Sequence, residues 1–311
     1  MLSILSITIP VYLLIGLGYL AARRDWFAPA EMRVFGRFVI QFALPALVFQ
    51  ALAQRPFSEI LNGRYLFAYA AGSLLVLLGG WFVARRVRGR GAAFSALFGM
   101  GMGFSNSGFV GYPIALQVLG PTAAVALALC MLVENVLLLP LTLALAEGNT
   151  AAHAWHGVLR QTLVRLAKNP LILAIAAGLA VSLLGLEIPA PVAKGVGLLA
   201  GASTALALFV IGGSLKGLQL RGQLRGVGVV ALGKLLLHPL AVLALVHLVP
   251  VPEPLRTAAV LFAAMPMLSI YPILAQPHGE ETFCAAALLL ATVLSLLTVS
   301  LWVGFLAAGL G

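Results

Sequence analysis

The chain of 311 residues is 62% hydrophobic and only 9% charged, with a formal net charge of +10 at pH 7. A soluble domain averages about 25% charged residues, so this composition excludes an ordinary soluble protein and indicates a membrane protein with several spans. The two cysteines, Cys130 and Cys284, lie in apolar runs without metal-ligand neighbours, which predicts buried thiols and no disulfide.

Ten apolar segments meet or approach the roughly 20 residues that a transmembrane helix needs. They are residues 2–22, 30–53, 64–84, 92–118, 121–146, 169–187, 191–215, 226–249, 255–277 and 282–308. The predicted fold class is therefore all-α integral membrane, with ten transmembrane helices. The longest connection is a linker at 147–168, so no soluble domain is expected.

Lysine and arginine concentrate in the short loops that follow odd-numbered segments. Arg85, Arg86, Arg88 and Arg90 follow the third segment, whereas the loops after even-numbered segments carry few bases. Loops rich in lysine and arginine face the cytoplasm. The predicted topology therefore places the linker 147–168 in the cytoplasm and both termini outside.

The first and second halves of the chain show weak internal sequence similarity, with matched residues separated by an almost constant number of positions. An odd number of spans in each half inserts the second half upside down, an arrangement common in secondary transporters. We therefore predict two inverted five-helix repeats, 1–146 and 169–311, joined by the linker. The matched positions are Tyr112–Ile114 with Tyr271–Ile273, Pro10 with Pro170, and Gly18 with Gly178.

The fourth and ninth segments both carry residues that interrupt a helix. Unsatisfied backbone groups in lipid cost several kcal/mol, so an interruption is tolerated only where protein or a watery cavity supplies partners. The positive N-terminal ends of the resulting half-helices suit an anion. The predicted substrate-binding residues are Ser105, Asn106, Ser107, Gly108, Gly111, Tyr112 and Pro113 of the fourth segment, and Pro266, Ser269, Tyr271 and Pro272 of the ninth.

Two alternatives stay open for these residues. A single proline in a membrane helix is usually an ordinary kink, and small residues also serve close helix packing. Tyr112 and Tyr271 either line the site or pack with their phenols satisfied.

Ionisable residues within membrane spans are expensive and mark functional sites. Glu134 lies in the fifth segment, and Lys234 and His238 lie one helical turn apart in the eighth. Glu134 or His238 is a candidate coupling proton site, and Lys234 is a candidate counter-charge for the substrate. The alternative is a structural ion pair between Glu134 and Lys234.

The sequence lacks common motifs of enzymes and of nucleotide-binding proteins. It contains no Walker A loop, no HExxH, no GxSxG and no GxGxxG after a strand, so we expect no enzyme, no cofactor, no metal and no ATP-driven pump. A channel would need a continuous polar stripe along several helices, which the segments lack. A nucleic-acid partner is not expected, since the bases serve as topology signals.

The stretch "SNSGFVGYP", Ser105 to Pro113, resembles the signature of the auxin efflux carrier family. "LPALVFQALA" (Leu44 to Ala53), "KLLLHPL" (Lys234 to Leu240) and Met265 to Gly279 resemble it as well, so the resemblance covers essentially the whole chain. One departure concerns the ninth segment, where family members often carry Asn and this chain has Ser269 or Ile270.

This resemblance implies a transporter with crossed breaks in helices 4 and 9, similar to the NhaA and bile-acid-transporter folds. It implies a bacterial inner-membrane homodimer with a scaffold of helices 1, 2, 6 and 7 and a mobile unit of helices 3–5 and 8–10. The implied substrate is a small organic anion, a carboxylate such as malonate, moved by elevator-type alternating access. The alternatives are a sodium-coupled organic acid carrier of a related inverted-repeat family and a non-transporting membrane anion receptor.

Overall fold

The computed structural model describes residues 2–87, 89–147, 163–216 and 224–309, and within these ranges the chain is helical and contains no strand. Most of the predicted linker 147–168 lies outside the described residues. The principal helices are α1 (Leu2–Arg23), α2 (Pro29–Ala53), α3 (Gly63–Val87), α4 (Ala92–Gly103), α5 (Tyr112–Leu119), α6 (Thr122–Glu147), α7 (Pro170–Leu184), α8 (Ala190–Ser214), α9 (Leu224–Leu248), α10 (Leu255–Ala263), α11 (Tyr271–Ala275) and α12 (Glu281–Gly309). Short helical segments also occur at Phe57–Ile60, at 163–168 and at Gln276–His278.

Six of the described helices, α2, α3, α6, α8, α9 and α12, are long and apolar enough to cross a membrane. A helix of 25 residues is about 37 Å long, which exceeds the hydrocarbon thickness of a bilayer. Large apolar side chains cover their outer faces: Leu198 is 72% exposed and Leu297 is 65% exposed. Exposed apolar surface of this extent indicates contact with lipid, so the all-helical membrane class is confirmed.

The helices begin and end within a few residues of the predicted segments. The fourth segment contains α4 and α5, which are separated by three non-helical residues, 104–106, and a π-helical turn at Ser107–Gly111. The ninth segment contains α10 and α11, separated by residues 264–270. Both predicted interruptions are therefore present.

The described residues contain five π-helical turns; one, Val83–Val87, ends α3, and each of the other four stands just before a proline. Proline cannot donate a backbone hydrogen bond, and its ring clashes with the carbonyl four residues earlier. In these four cases that carbonyl belongs to the π-turn, whose wider geometry relieves the clash. Such turns are rare and cluster at functional sites. The pairs are Val39–Ala43 with Pro45, Ser107–Gly111 with Pro113, Val133–Leu138 with Pro140, and Gly233–Leu237 with Pro239.

Glycines allow two helix pairs to approach closely. A Cβ placed at Gly212 of α8 would lie 1.8 Å from the backbone oxygen of Ile15 in α1, so α1 and α8 pack backbone to backbone. A Cβ at Gly178 of α7 would lie 2.9 Å from Leu52 Cβ in α2. Small residues at such crossings are the usual means of helix packing in membranes.

The interrupted helices lie inside the protein. All residues of α10 from Thr257 to Ala263 are buried, and so is α4 from Phe94 to Gly103. A helix that is buried on all sides belongs to a core and not to a lipid-facing surface. The protein therefore shields from lipid the two half-helices that lead into the interruptions, as the cost of exposed backbone groups requires.

Candidate functional site

The two interruptions meet each other. The backbone N–H of Asn106 donates to the carbonyl oxygen of Pro266 at 2.7 Å. The Asn106 side-chain Nδ2 donates to Ser269 Oγ, also at 2.7 Å. Residues from the fourth and ninth predicted segments, 160 or more positions apart in the sequence, thus form one junction.

Asn106 organises the start of the second half-helix in this junction. Its Oδ1 accepts a hydrogen bond from the N–H of Phe109 at 3.3 Å, so its side chain caps the π-turn that leads into α5. Asparagine is among the favoured residues for this capping position. Asn106 therefore holds both its own half-helix and the partner interruption.

Glycine and proline fit the junction for steric reasons. A Cβ at Gly111 would lie 2.7 Å from Phe262 Cδ1 in the buried ring, so glycine favours the close approach there, and one at Gly108 would lie 2.9 Å from Leu44 Cδ1. Pro113 and Pro272 stand in the first turns of α5 and α11. Pro272 is tolerated because the missing N–H of a proline in a first turn has no helical acceptor, whereas Pro113 follows the π-turn Ser107–Gly111, whose wider geometry accommodates its ring.

A cavity of about 190 Å³ lies against the junction, and we call it the break cavity. Its wall combines apolar side chains with a small number of polar ones, which is typical of sites for small molecules. Glu134 is the only ionisable residue among the described residues of this wall. The polar residues of the wall are Asn106, Ser107, Glu134, Asn135, Asn169 and Ser269.

A second, larger cavity of about 850 Å³ lies on the other side of the junction, and we call it the vestibule. Along α2, Ile40 and Leu44 line the break cavity, whereas Gln50 and Gln54, further toward the end of the helix, line the vestibule. The two cavities therefore extend toward opposite ends of α2.

The two matched tyrosines have different surroundings. Tyr112 lines the vestibule. Tyr271 is fully buried, does not line the break cavity, and donates its hydroxyl hydrogen to the carbonyl oxygen of Leu97 at 2.8 Å. Tyr271 therefore packs with its phenol satisfied, which is the second of the two sequence alternatives.

Glu134 is fixed by donors from three parts of the chain. Its Oε1 accepts from Tyr69 Oη at 3.1 Å, from the backbone N–H of Ser105 at 3.3 Å and from Ser107 Oγ at 3.0 Å. The thiol of Cys130 lies 3.5 Å from the same oxygen. The other oxygen, Oε2, is buried and has no hydrogen-bond partner among the described residues.

Lys234 is fully buried, and protein groups satisfy its ammonium. Its Nζ donates to Ser105 Oγ at 2.8 Å and to the carbonyl oxygen of Ala263 at 2.8 Å, and lies 2.6 Å from His238 Nδ1. An ammonium has three donors and no acceptor, so His238 accepts at Nδ1 and carries its proton on Nε2. That Nε2–H then donates to Ser73 Oγ at 2.8 Å.

Glu134 and Lys234 form no direct ion pair. Ser105 stands between them, because its Oγ accepts from Lys234 and its N–H donates to Glu134. The direct pair considered from the sequence is therefore replaced by a bridge through the non-helical residues of the fourth segment. Lys234 also does not line the break cavity, so its position does not support a direct counter-charge role in this structure.

Sequence reasoning missed four polar residues of this region. Tyr69 and Ser73 project from α3 onto Glu134 and His238, respectively. Asn169 Nδ2 donates to Asn135 Oδ1 at 3.2 Å, and both amides line the break cavity. The detectable signal was the position of Asn135, directly after Glu134 in an apolar run.

Known proteins match the chain along nearly its whole length. A family model described as "Membrane transport protein" matches residues 3–303. A "Putative malonate transporter" of Rhizobium meliloti (strain 1021) is 29% identical over 307 residues, which cover 96% of this chain and 95% of the relative. "Uncharacterized transporter YfdV" of Escherichia coli (strain K12) is 25% identical over 305 residues, covering 95% of each chain.

Proposed function

Because the chain belongs to the membrane transport protein family, the auxin efflux carrier family that its motifs resemble, we propose that it is a secondary transporter of a small organic anion. The observation that carries this proposal is the junction of two interrupted helices beside a small cavity whose mainly apolar wall carries a few polar side chains. Transporters commonly bind their substrates between such discontinuous helices.

The proposed substrate is a small carboxylate such as malonate, the substrate in the name of one relative. The break cavity has about the volume of six water molecules, which suits a small anion. Asn106 keeps one amide hydrogen beyond the one given to Ser269, and Ser269 keeps its own hydroxyl hydrogen. The helical segment that starts at Ser107 adds the positive end of its dipole.

The proposed architecture is ten membrane crossings in two inverted repeats, 1–146 and 169–311. The packing of equivalent helices supports it, because α1 of the first repeat packs on α8 and α7 of the second repeat packs on α2. Gly18 and Gly178, matched in the sequence, both stand at these crossings. This helix group would form the scaffold of a homodimer in a bacterial inner membrane, with both termini outside.

The proposed mechanism is elevator-type alternating access. The break cavity and the vestibule lie on either side of the junction, and the π-turn Ser107–Gly111 separates them. Movement of α3–α6 and α9–α12 against the scaffold would expose the junction to each side in turn. Such movement switches access without opening a continuous pore.

The test is uptake of radiolabelled malonate by proteoliposomes that contain the purified protein. We expect saturable uptake, competition by other small dicarboxylates, and exchange of external label for internal malonate. Binding of malonate without uptake or exchange would favour a receptor, and uptake that requires a sodium gradient would favour a sodium-coupled carrier. Absence of both binding and uptake for malonate and related carboxylates would overturn the proposed substrate class.

A further inference from the structure

The two carboxylate oxygens of Glu134 differ in their hydrogen bonding. Every hydrogen bond that it accepts goes to Oε1, from donors on α3, on the interruption of the fourth segment and on α6 itself. The side chain is only 2% exposed, yet Oε2 has no partner among the described residues. Buried polar atoms are nearly always hydrogen-bonded, so this exception requires a physical explanation.

The neighbouring cation does not satisfy Oε2. All three ammonium donors of Lys234 are taken by Ser105, His238 and Ala263. The wall of the break cavity, to which Glu134 belongs, offers amide and hydroxyl groups but no other charge within the described residues. A carboxylate that enters this cavity would therefore meet an ionised glutamate without a cation between the two.

Two carboxylates that share one site retain a proton between them, because two adjacent negative charges cannot both be stabilised. The proton on Glu134 must lie on Oε2, since Oε1 is already surrounded by donors. A protonated Oε2–H then becomes a donor toward the bound anion. The unsatisfied oxygen thus gains a partner only when proton and substrate are both present.

We propose that Glu134 is the proton-coupling site, and that each carboxylate is carried together with one proton on Oε2. This inference rests on the proposed transport of a carboxylate. One proton from water on the loading side binds to Oε2, the O–H bond donates to a substrate oxygen, and the same proton leaves to water on the releasing side. Proton and anion thus cross in the same direction, and no covalent bond of the substrate changes.

Other titratable groups packed against Glu134 do not replace it in this role. Those on α3 and α6 are phenols and a thiol that act as neutral donors, and those on α9 are satisfied within the protein. His238 in particular has both ring nitrogens occupied, by Lys234 and Ser73, and it lies away from the break cavity. The groups considered are Tyr65, Tyr69, Cys130, Lys234 and His238.

Glu134→Gln provides a close test, because an amide imitates the protonated acid. The amide oxygen replaces Oε1 as an acceptor, and the amide N–H₂ replaces Oε2–H as a donor. The variant should bind malonate and exchange it across the membrane. It should not respond to a proton gradient. Glu187→Gln is the matched control, since Glu187 is exposed between α7 and α8.

The experiment measures malonate accumulation in proteoliposomes at zero membrane potential, with a pyranine signal for internal pH. The unmodified protein and Glu187→Gln should accumulate malonate about tenfold for each unit of pH gradient, the value for one proton per anion. They should also acidify the lumen during uptake. Glu134→Gln should exchange malonate but neither accumulate it nor move protons.

Several results would overturn the proposal. One is malonate uptake by the unmodified protein without proton movement, including uptake driven by a sodium gradient. In that case the proposed transport of malonate would stand, and proton coupling at Glu134 would be refuted. A proton response that persists in Glu134→Gln would also overturn it. Absence of malonate transport in the unmodified protein would defeat the proposed function as well. If Glu134→Gln does not fold, the proton-to-malonate ratio of the unmodified protein decides the question.

Discussion

Asn106→Ala should weaken malonate binding more than it weakens the fold. The substitution removes the cap on Phe109 and the bond to Ser269, each worth about 1 kcal/mol. It also removes the remaining amide donor that we assign to the substrate. Loss of such a buried donor costs about 1–3 kcal/mol, so the dissociation constant for malonate should rise about 5- to 150-fold.

Asn62→Ala is the control for loss of a cap alone. Asn62 caps α3 by accepting from the N–H of Tyr65 at 2.9 Å, away from the break cavity. This variant should lose about 1 kcal/mol of stability and keep its affinity for malonate. The assay is equilibrium binding of radiolabelled malonate to purified protein, together with a thermal melt. Parental affinity in folded Asn106→Ala, or an equal loss of affinity in Asn62→Ala, would refute the assigned role.

Three further substitutions test other parts of the structure. Gly212→Ala should lower the melting temperature because its Cβ would meet a backbone oxygen of α1. Gly201→Ala is the control, since nothing lies within 4 Å of its Cβ, and equal melting temperatures for the two variants would contradict the close packing. Lys234→Met should destabilise by about 3–5 kcal/mol because Glu134 loses its compensating charge, and added Glu134→Gln should restore part of that loss in the same melt. Tyr271→Phe should cost about 1 kcal/mol of stability without changing malonate affinity, and weaker binding would place this residue in the site after all.

The helices and their interruptions could be predicted because both follow from local sequence. Long apolar runs fix the spans, and Asn106 with its flanking glycines and Pro113 marks the first interruption. The resemblance to the auxin efflux carrier family is also confirmed by the family match. The π-turns that hold Glu134 and Lys234 were missed, although prolines six and five residues further on mark both of them.

The contacts within the site could not be predicted, because they join distant parts of the chain. Ser105 bridges Glu134 and Lys234, which lie on different helices, and no sequence period records such an arrangement. The repeat also left the role of Tyr271 undecided. The matched tripeptide suggested a site residue, whereas its phenol donates to the carbonyl oxygen of Leu97 in α4, a contact between distant positions that the sequence does not record.

Accessibility of the junction from both sides of the membrane tests the central claim most directly. Ile270 lines the break cavity and is 40% exposed, whereas the native thiols of Cys130 and Cys284 are fully buried. An Ile270→Cys variant should react with a membrane-impermeant thiol reagent applied to either face of sealed vesicles, and malonate should change the ratio of the two rates. Labelling from one face only, under conditions that support malonate uptake, would contradict alternating access at this junction.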